Sequence, residues 1–269
     1  MENKIKTSDT VTEAALRLSL AREGIPEGSL GVLACECTGS TNADAMKYGE
    51  GGGGEAVFLA KRQTAGRGRL GRSFLSPEGG LYMSLLLRPT VPLSNFASVT
   101  AKCAVAVSRA VESLTGLECK IKWVNDVYVN GRKLAGILTQ GRTREDGKVD
   151  FAVIGIGINL AACDLGEELR PIATSVEKEG GRLPDKCSLA ARVVKEILSV
   201  LDGAAHVEVL EEYRRRSLLD GREVKIVTPS EEYSAKALGI DGEYRLLLER
   251  DGEIFALSTG EASARLTED

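Results

Sequence analysis

Apolar residues recur along this chain with two periods, and the changes between them lay out its elements. Ala15, Leu16, Leu18 and Leu20 have helical spacing between Thr12 and Arg22, and the pattern stops at Gly24 and Pro26, which predicts a first helix. Ser29–Cys35 reads as a strand, after which Ser40 or Thr41 caps a helix through Lys47, followed by a flexible connector at Gly49–Gly54. Glu55–Ala60 and Leu81–Leu87 read as buried strands. Ser94 caps a long amphipathic helix that reaches about Leu114 and ends at Gly116. A strand at Cys119–Trp123 enters a hairpin that turns at Asn130-Gly131, and a second turn at Asp146-Gly147 leads into a strand at Val149–Leu160. Helical patterns return at Leu189–Leu201 and His206–Arg215.

From about Leu219 the texture changes. Val224–Val227, Tyr233–Leu238, Tyr244–Glu249 and Glu253–Leu257 are short strands joined by polar turns such as Asp241-Gly242 and Asp251-Gly252. They predict a small β-barrel appended to the main domain. The class is therefore α+β, a mixed β-sheet packed on helices over residues 1–217 with a barrel over 218–269.

The connection between the strands at 55–60 and 81–87 breaks the pattern. Residues 61–72 hold five cations and three glycines. Glycine admits positive φ and lets an anion approach the backbone N–H groups, and arginine forks bind phosphate or carboxylate oxygens in pairs. Structureless loops longer than about 12–15 residues are uncommon inside a domain and are usually functional or disordered. The loop from about Gln63 to Gly80 reads as a lid over an anionic ligand, against the plainer alternative of a solvated basic loop. Gly66 to Gly71 also spells G-x-G-x-x-G, but Ser76-Pro77-Glu78-Gly79-Gly80 forbids the helix that a dinucleotide fold needs there, and Leu85–Arg88 carries no carboxylate.

At 269 residues the chain can bury a substantial core in one large domain, or in one large and one small. A formal net charge of −4 argues against general nucleic-acid binding and makes the basic loop a local site. No apolar run approaches the length of a membrane span and no signal peptide is apparent, so a cytoplasmic protein is expected. The six cysteines are scattered, with only Cys35-Glu36-Cys37 close, and His206 is the single histidine. Reduced thiols fit this better than a zinc site.

A second polar constellation lies at Lys122-Trp123-Val124-Asn125-Asp126, followed by Lys133-Leu134-Ala135-Gly136 on the far side of the Asn130-Gly131 turn. Asp126 and Lys133 are thus on neighbouring strands, either as an acid–base pair beside a ligand or as an ordinary cross-strand ion pair. Gly155 and Gly157 alternate along an apolar strand and suit a flat pocket floor.

Together these segments resemble biotin protein ligases. Ser40-Thr41-Asn42, the Gln63 to Arg72 loop, Lys122–Asp126, Arg132–Gly136 and Gly155–Asn159 stand in that family's order and approximate spacing, and the C-terminal β domain fits, so the resemblance runs from about residue 30 onward. Val124 departs from the family's usual proline, Leu70 from an arginine of some members, and Phe74 from a frequent tryptophan. The resemblance implies a catalytic core like that of class II synthetases and an SH3-like barrel. It implies biotinyl-5′-AMP formation from biotin and Mg-ATP, then transfer to a lysine of the biotin carboxyl carrier domain of acetyl-CoA carboxylase or a related carboxylase.

The same resemblance makes Lys133, Arg69 and Asp126 catalytic. It assigns biotin to Ser40, Thr41, Asn42, Gln63, Gly66, Arg67, Gly68, Arg69, Lys133, Gly136 and Gly157. ATP falls to Arg67, Arg69, Arg72, Phe74, Asn125, Lys133 and Asn159, with no metal held by the protein. Ala161–Thr174 is implied as a second mobile segment over the adenine, and a homodimer is plausible by resemblance. Rival readings are a lipoate or octanoate ligase, a biotin-responsive repressor and a non-catalytic adenylate-binding module. About 30 residues with one helix and no basic cluster precede the first core strand, so no operator binding is expected.

Overall fold

The computed structural model describes residues 11–89, 96–145, 148–162, 169–201, 206–228, 231–258 and 260–264. The expected cap at Ser94 and the turn at Asp146-Gly147 lie outside them. Thr12 caps α1 (Glu13–Arg22), its hydroxyl accepting from the Ala15 N–H at 3.2 Å. Then come β1 (Gly31–Thr38), α2 (Thr41–Glu50), β2 (Ala56–Gln63), β3 (Gly80–Leu87) and α3 (Phe96–Thr115). β4 (Lys120–Lys122), β5 (Asp126–Val129), β6 (Arg132–Thr143) and β7 (Val149–Asn159) follow, then α4 (Lys186–Leu201) and α5 (His206–Arg216).

These strands form one seven-stranded sheet in the order β1-β2-β3-β7-β6-β5-β4, parallel only between β1 and β2. The β5–β6 hairpin turns where the sequence requires, with positive φ at Asn130 (48°) and Gly131 (73°). α1, α3 and α4 pack on one face, which carries the main apolar core. The other face is covered by α2 over a smaller cluster that includes Ala45, Phe58, Leu86 and Phe151. The Trp123–Val124 peptide is cis.

Two expectations of flexibility are revised. The Gly49–Gly54 connector is pinned, because Arg88 donates to the Gly49 carbonyl at 2.7 Å and to the Gly53 carbonyl at 2.9 Å. The Gln63–Gly80 connection is folded back on itself rather than structureless. The Gln63 N–H donates to the Ser76 carbonyl and the Phe74 N–H to the Gly66 carbonyl, with a 3-10 turn at Arg69–Gly71. No helix opens at its glycines, as Pro77 required.

The C-terminal part is a second, five-stranded antiparallel sheet, consistent with the SH3-like domain that the resemblance implies. Its strands are β8 (Glu223–Val227), β9 (Glu232–Ile240), β10 (Leu246–Arg250), β11 (Glu253–Leu257) and β12 (Glu261–Ala264), in the order β11-β10-β9-β8-β12. The sequence reading missed β12, which is short and carries no long apolar run. Tyr244, expected in a strand, sits at φ 60° in a loop that Asp241 organises by accepting from the Glu243 and Arg245 N–H groups.

Candidate active site

The register of the large sheet builds the floor of a cleft on the face that α2 covers. Gly136 of β6 lies directly opposite Gly157 of β7, and Leu138 lies opposite Gly155. On the other side of β7, Tyr82 and Ser84 of β3 face the same two glycines. β6 and β7 therefore place three glycines next to one another, flanked by the side chains of Tyr82, Ser84 and Leu138. A β-carbon at Gly155 would lie 2.0 Å from the Asn42 side-chain oxygen, and one at Gly157 would lie 2.4 Å from the Phe74 ring. Neither position tolerates a side chain without displacement.

A cavity of about 130 Å3 opens above this floor, walled by the start of α2, the basic loop and the Asn125–Lys133 hairpin. Of the residues expected from sequence it gathers Ser40, Thr41, Asn42, Gln63, Arg67, Gly68, Arg69, Arg72, Phe74, Asn125, Asp126, Lys133, Gly136 and Gly157. Gly66 and Asn159 do not line it. Gly66 serves loop packing, since a β-carbon there would lie 2.3 Å from the Phe74 carbonyl. Asn159 is buried and donates to the Thr174 carbonyl at 3.0 Å. A larger cavity of about 230 Å3 between α1 and β1 is lined mostly by apolar residues, with Arg17 and Glu27 as its charged ones.

The cationic wall is tightly held. Lys133 Nζ lies 2.8 Å from Asp126 Oδ1 and 5.9 Å from the centre of the Phe74 ring. That carboxylate oxygen takes part in no well-directed hydrogen bond, so the contact with Lys133 is one of charge. Arg69 donates to Asn125 Oδ1 and to the Gly260 carbonyl, both at 2.9 Å, which brings the C-terminal sheet to the cleft. Asn125 is itself sewn to β6, its amide donating to the Ile137 carbonyl at 3.1 Å while the Ile137 N–H donates to the Asn125 carbonyl at 3.0 Å. Burial, together with the Asp126 charge, pushes the Tyr128 phenol far above its ordinary range, so it stays protonated.

The polar end of the cleft is largely committed to itself. Asn42 Nδ2 donates to the Leu138 carbonyl (3.2 Å) and Gln140 Oε1 (2.9 Å), and its Oδ1 accepts from Ser84 at 2.6 Å. Gln63 Oε1 accepts from both the N–H and the hydroxyl of Thr41, and its Nε2 donates to Ser76. Ser40, at the N-cap of α2, makes no side-chain capping bond, so its hydroxyl is available to a ligand. Sequence reasoning missed Ser84 and Gln140. A polar residue at alternate spacing inside a strand was the only available signal.

A cationic loop beside a floor of glycines, with a lysine–aspartate pair next to it, is suited to an anionic ligand whose charge must be offset. Residues 40–159 match the model of the biotin/lipoate A/B protein ligase family. The chain is 34% identical over 258 residues to the bifunctional ligase/repressor BirA of Bacillus spizizenii, covering 91% of this chain and 76% of that protein. It is 31% identical over 271 residues to the biotin–[acetyl-CoA-carboxylase] ligase of Mycobacterium tuberculosis, covering 97% and 98%. Its fold is similar to that of the biotin protein ligase from Aquifex aeolicus in complex with biotin and ATP, with a TM-score of 0.75 and 29% identity, over 87% and 98% of the two chains. The chain belongs to the biotin protein ligase family.

Proposed function

We propose that this chain activates biotin with ATP and joins it to a lysine of a biotin carboxyl carrier protein. A biotin carboxylate oxygen attacks the α-phosphorus, the bond from that phosphorus to the bridging oxygen breaks, and pyrophosphate leaves. The carrier's ε-amine then attacks the acyl carbon of biotinyl-5′-AMP, AMP departs with the bonding pair, and the amine loses its proton. The observation that carries this reading is the convergence of Lys133, Arg69 and the Gly136–Gly157 floor in one cavity.

Two anions must meet in the first step, and cations placed beforehand offset their repulsion where charge develops. Lys133 bridges the carboxylate and the α-phosphate, having left Asp126 for them. Arg67, Arg69 and Arg72 take the phosphates, and Arg69 retains the adenylate. Asp126, freed of Lys133, orients the incoming amine and accepts its proton. The glycine floor receives the ring and acyl chain, with Ser40 supplying the open hydrogen-bonding group at the ring end. Mg2+ enters as part of the nucleotide substrate. Closure of the basic loop shields a water-sensitive anhydride until the carrier arrives.

We place the division between residues 1–217 and 218–269 after α5, before the five-stranded sheet begins; the Leu218 N–H donates to the Ile121 carbonyl at 2.9 Å and ties the start of the second part to β4. β1 is one of the two outer strands of the large sheet, and its edge, unpaired among the described residues, suits strand addition by the carrier or a second subunit. Among the described residues no helix is long and apolar enough to cross a membrane.

ATP–pyrophosphate exchange with biotin, lipoate, octanoate or no acid tests the reading. Biotin-dependent exchange is expected. Exchange only with lipoate or octanoate overturns the substrate, and none with any acid overturns the activity.

A further inference from the structure

One buried carboxylate near the cleft takes no part in the steps above. The Glu179 side chain is 3% exposed and lies on the segment that returns from β7. It accepts from three donors. Asn130 Nδ2 reaches one oxygen at 2.7 Å, Arg132 Nη2 reaches the other at 2.6 Å, and the Thr174 hydroxyl donates to that second oxygen as well. Burying an ion is costly, and three donors of this kind are what make it tolerable.

The donors bracket Lys133. Asn130 belongs to the turn that opens β6, and Arg132 directly precedes the lysine. On the other side, the Lys133 N–H donates to the Ile172 carbonyl and the Thr174 N–H donates to the Lys133 carbonyl, each at 2.9 Å. Lys133 is thus clasped through both its backbone groups by the strap 172–174, in a parallel bridge with Ala173. Asn159 ties the same strap to the floor strand through the Thr174 carbonyl. Strap and turn meet at a single carboxylate, Glu179.

We propose that Glu179 is a positioning residue for Lys133, fixing the turn and the strap to each other so that the amine is delivered over the glycine floor at one height. This rests on the ligase reading for its consequence in catalysis, though not for its geometry. A misplacement of about 1 Å at a reacting group can cost about 100-fold in rate. Glu179 touches no substrate, so its loss lowers turnover far more than it weakens biotin binding.

The experiment pairs kinetics with hydrogen exchange on the full chain. Glu179→Ala is expected to lower kcat for biotin-dependent pyrophosphate exchange by roughly 30- to 100-fold, with the biotin KM changed by less than about 3-fold. Glu179→Gln keeps an acceptor oxygen and recovers part of the rate. Glu177→Gln is the control on the same segment returning from β7. Among the described residues the Glu177 carboxylate accepts only from the Ala162 N–H, at 2.7 Å, and the variant's kcat is expected to stay within about 2-fold of wild type. Wild-type kcat per folded molecule in Glu179→Ala, or an equal loss in Glu177→Gln, overturns the proposal. If Glu179→Ala does not fold, Thr174→Val removes one donor at constant shape and is read in its place, with a kcat loss of about 3- to 10-fold expected and no loss overturning the proposal.

Hydrogen exchange separates this inference from the functional reading. Amide protection at Lys133 and Thr174 should fall by at least about 10-fold in Glu179→Ala, or in Thr174→Val where that variant replaces it, whatever acid the wild type uses. Unchanged protection overturns the pin. Absence of exchange activity in the wild type overturns only the ligase reading.

Discussion

Asn42 and Gln63 show how a polar side chain in a pocket differs from one available to a ligand. All four of their side-chain hydrogen-bonding groups are engaged, with Ser84, Thr41, Ser76 and β6, which stiffens the pocket's polar end before anything binds. Lys133 and Arg69 differ in what they hold. On the proposed mechanism Lys133→Ala removes the charge that bridges the reacting oxygens, and it should lower biotin-dependent pyrophosphate exchange by about 100- to 1000-fold. Arg69→Gly should keep adenylation but release biotinyl-AMP, detected as biotin on bystander lysines; adenylate held as in the wild type would sink the retention role. Gly157→Ala drives a methyl to 2.4 Å from the Phe74 ring, so the ring must shift into the cleft or the floor must drop. A raised biotin KM is expected, by about 10-fold or more, measured with ATP saturating.

At the scale of elements, α3 and α5 are joined by charge as well as by apolar packing, and Glu196 of α4 lies 3.8 Å from Arg109 of α3. Arg109 donates to Glu212 at 2.6 Å, and Arg216 pairs with both Glu212 and Glu112. Burial alone would raise the Glu212 carboxyl, but hydrogen bonds from Arg109 and Arg216 outweigh it and hold the group below its ordinary value. A depressed carboxyl stabilises the fold above its unfolded value of about 4.3, and that contribution is lost as pH falls through the native value. Glu212→Gln should therefore cost about 1–3 kcal/mol at pH 7. The gap in Tm between wild type and variant should stay level from pH 7 to about 5 and close below about 4; a gap that widened in acid would reverse the sign.

Across the whole molecule, the C-terminal sheet meets the cleft through main-chain carbonyls. Trp123 Nε1 donates to the Tyr244 carbonyl at 2.9 Å, and Arg69 donates to that of Gly260. Tyr244 also stacks edge-on against Tyr213, whose hydroxyl donates to the Val124 carbonyl at 3.4 Å. The strand end that carries Asn125 and Asp126 is thus braced from behind by the second sheet. Trp123→Phe keeps most of the packing and leaves the Tyr244 carbonyl without its donor. It should lower stability by about 1–3 kcal/mol and speed adenylate release from the intact enzyme, followed by thermal melting and by loss of labelled biotinyl-AMP on filtration. Lower stability with unchanged release would confine Trp123 to packing.

The sequence by itself determined most of what is local: the period of every helix and of most strands, the turn at Asn130-Gly131, and a chemical inventory of arginines, Lys133, Asp126 and spaced glycines. Those follow from φ/ψ preference, side-chain period and residue chemistry, which a short window contains. What only the tertiary structure decided depends on which strands become neighbours and in what register. That register set Gly136 opposite Gly157, committed Asn42 to Ser84 and Gln140, and removed Gly66 and Asn159 from the walls of the cavity. It also folded the basic loop back on itself, brought Gly260 to Arg69 across 191 positions of chain, and joined Glu179 to Arg132, next to Lys133. Contacts between residues so far apart in the chain are set by the packing of whole elements, and no local pattern encodes them.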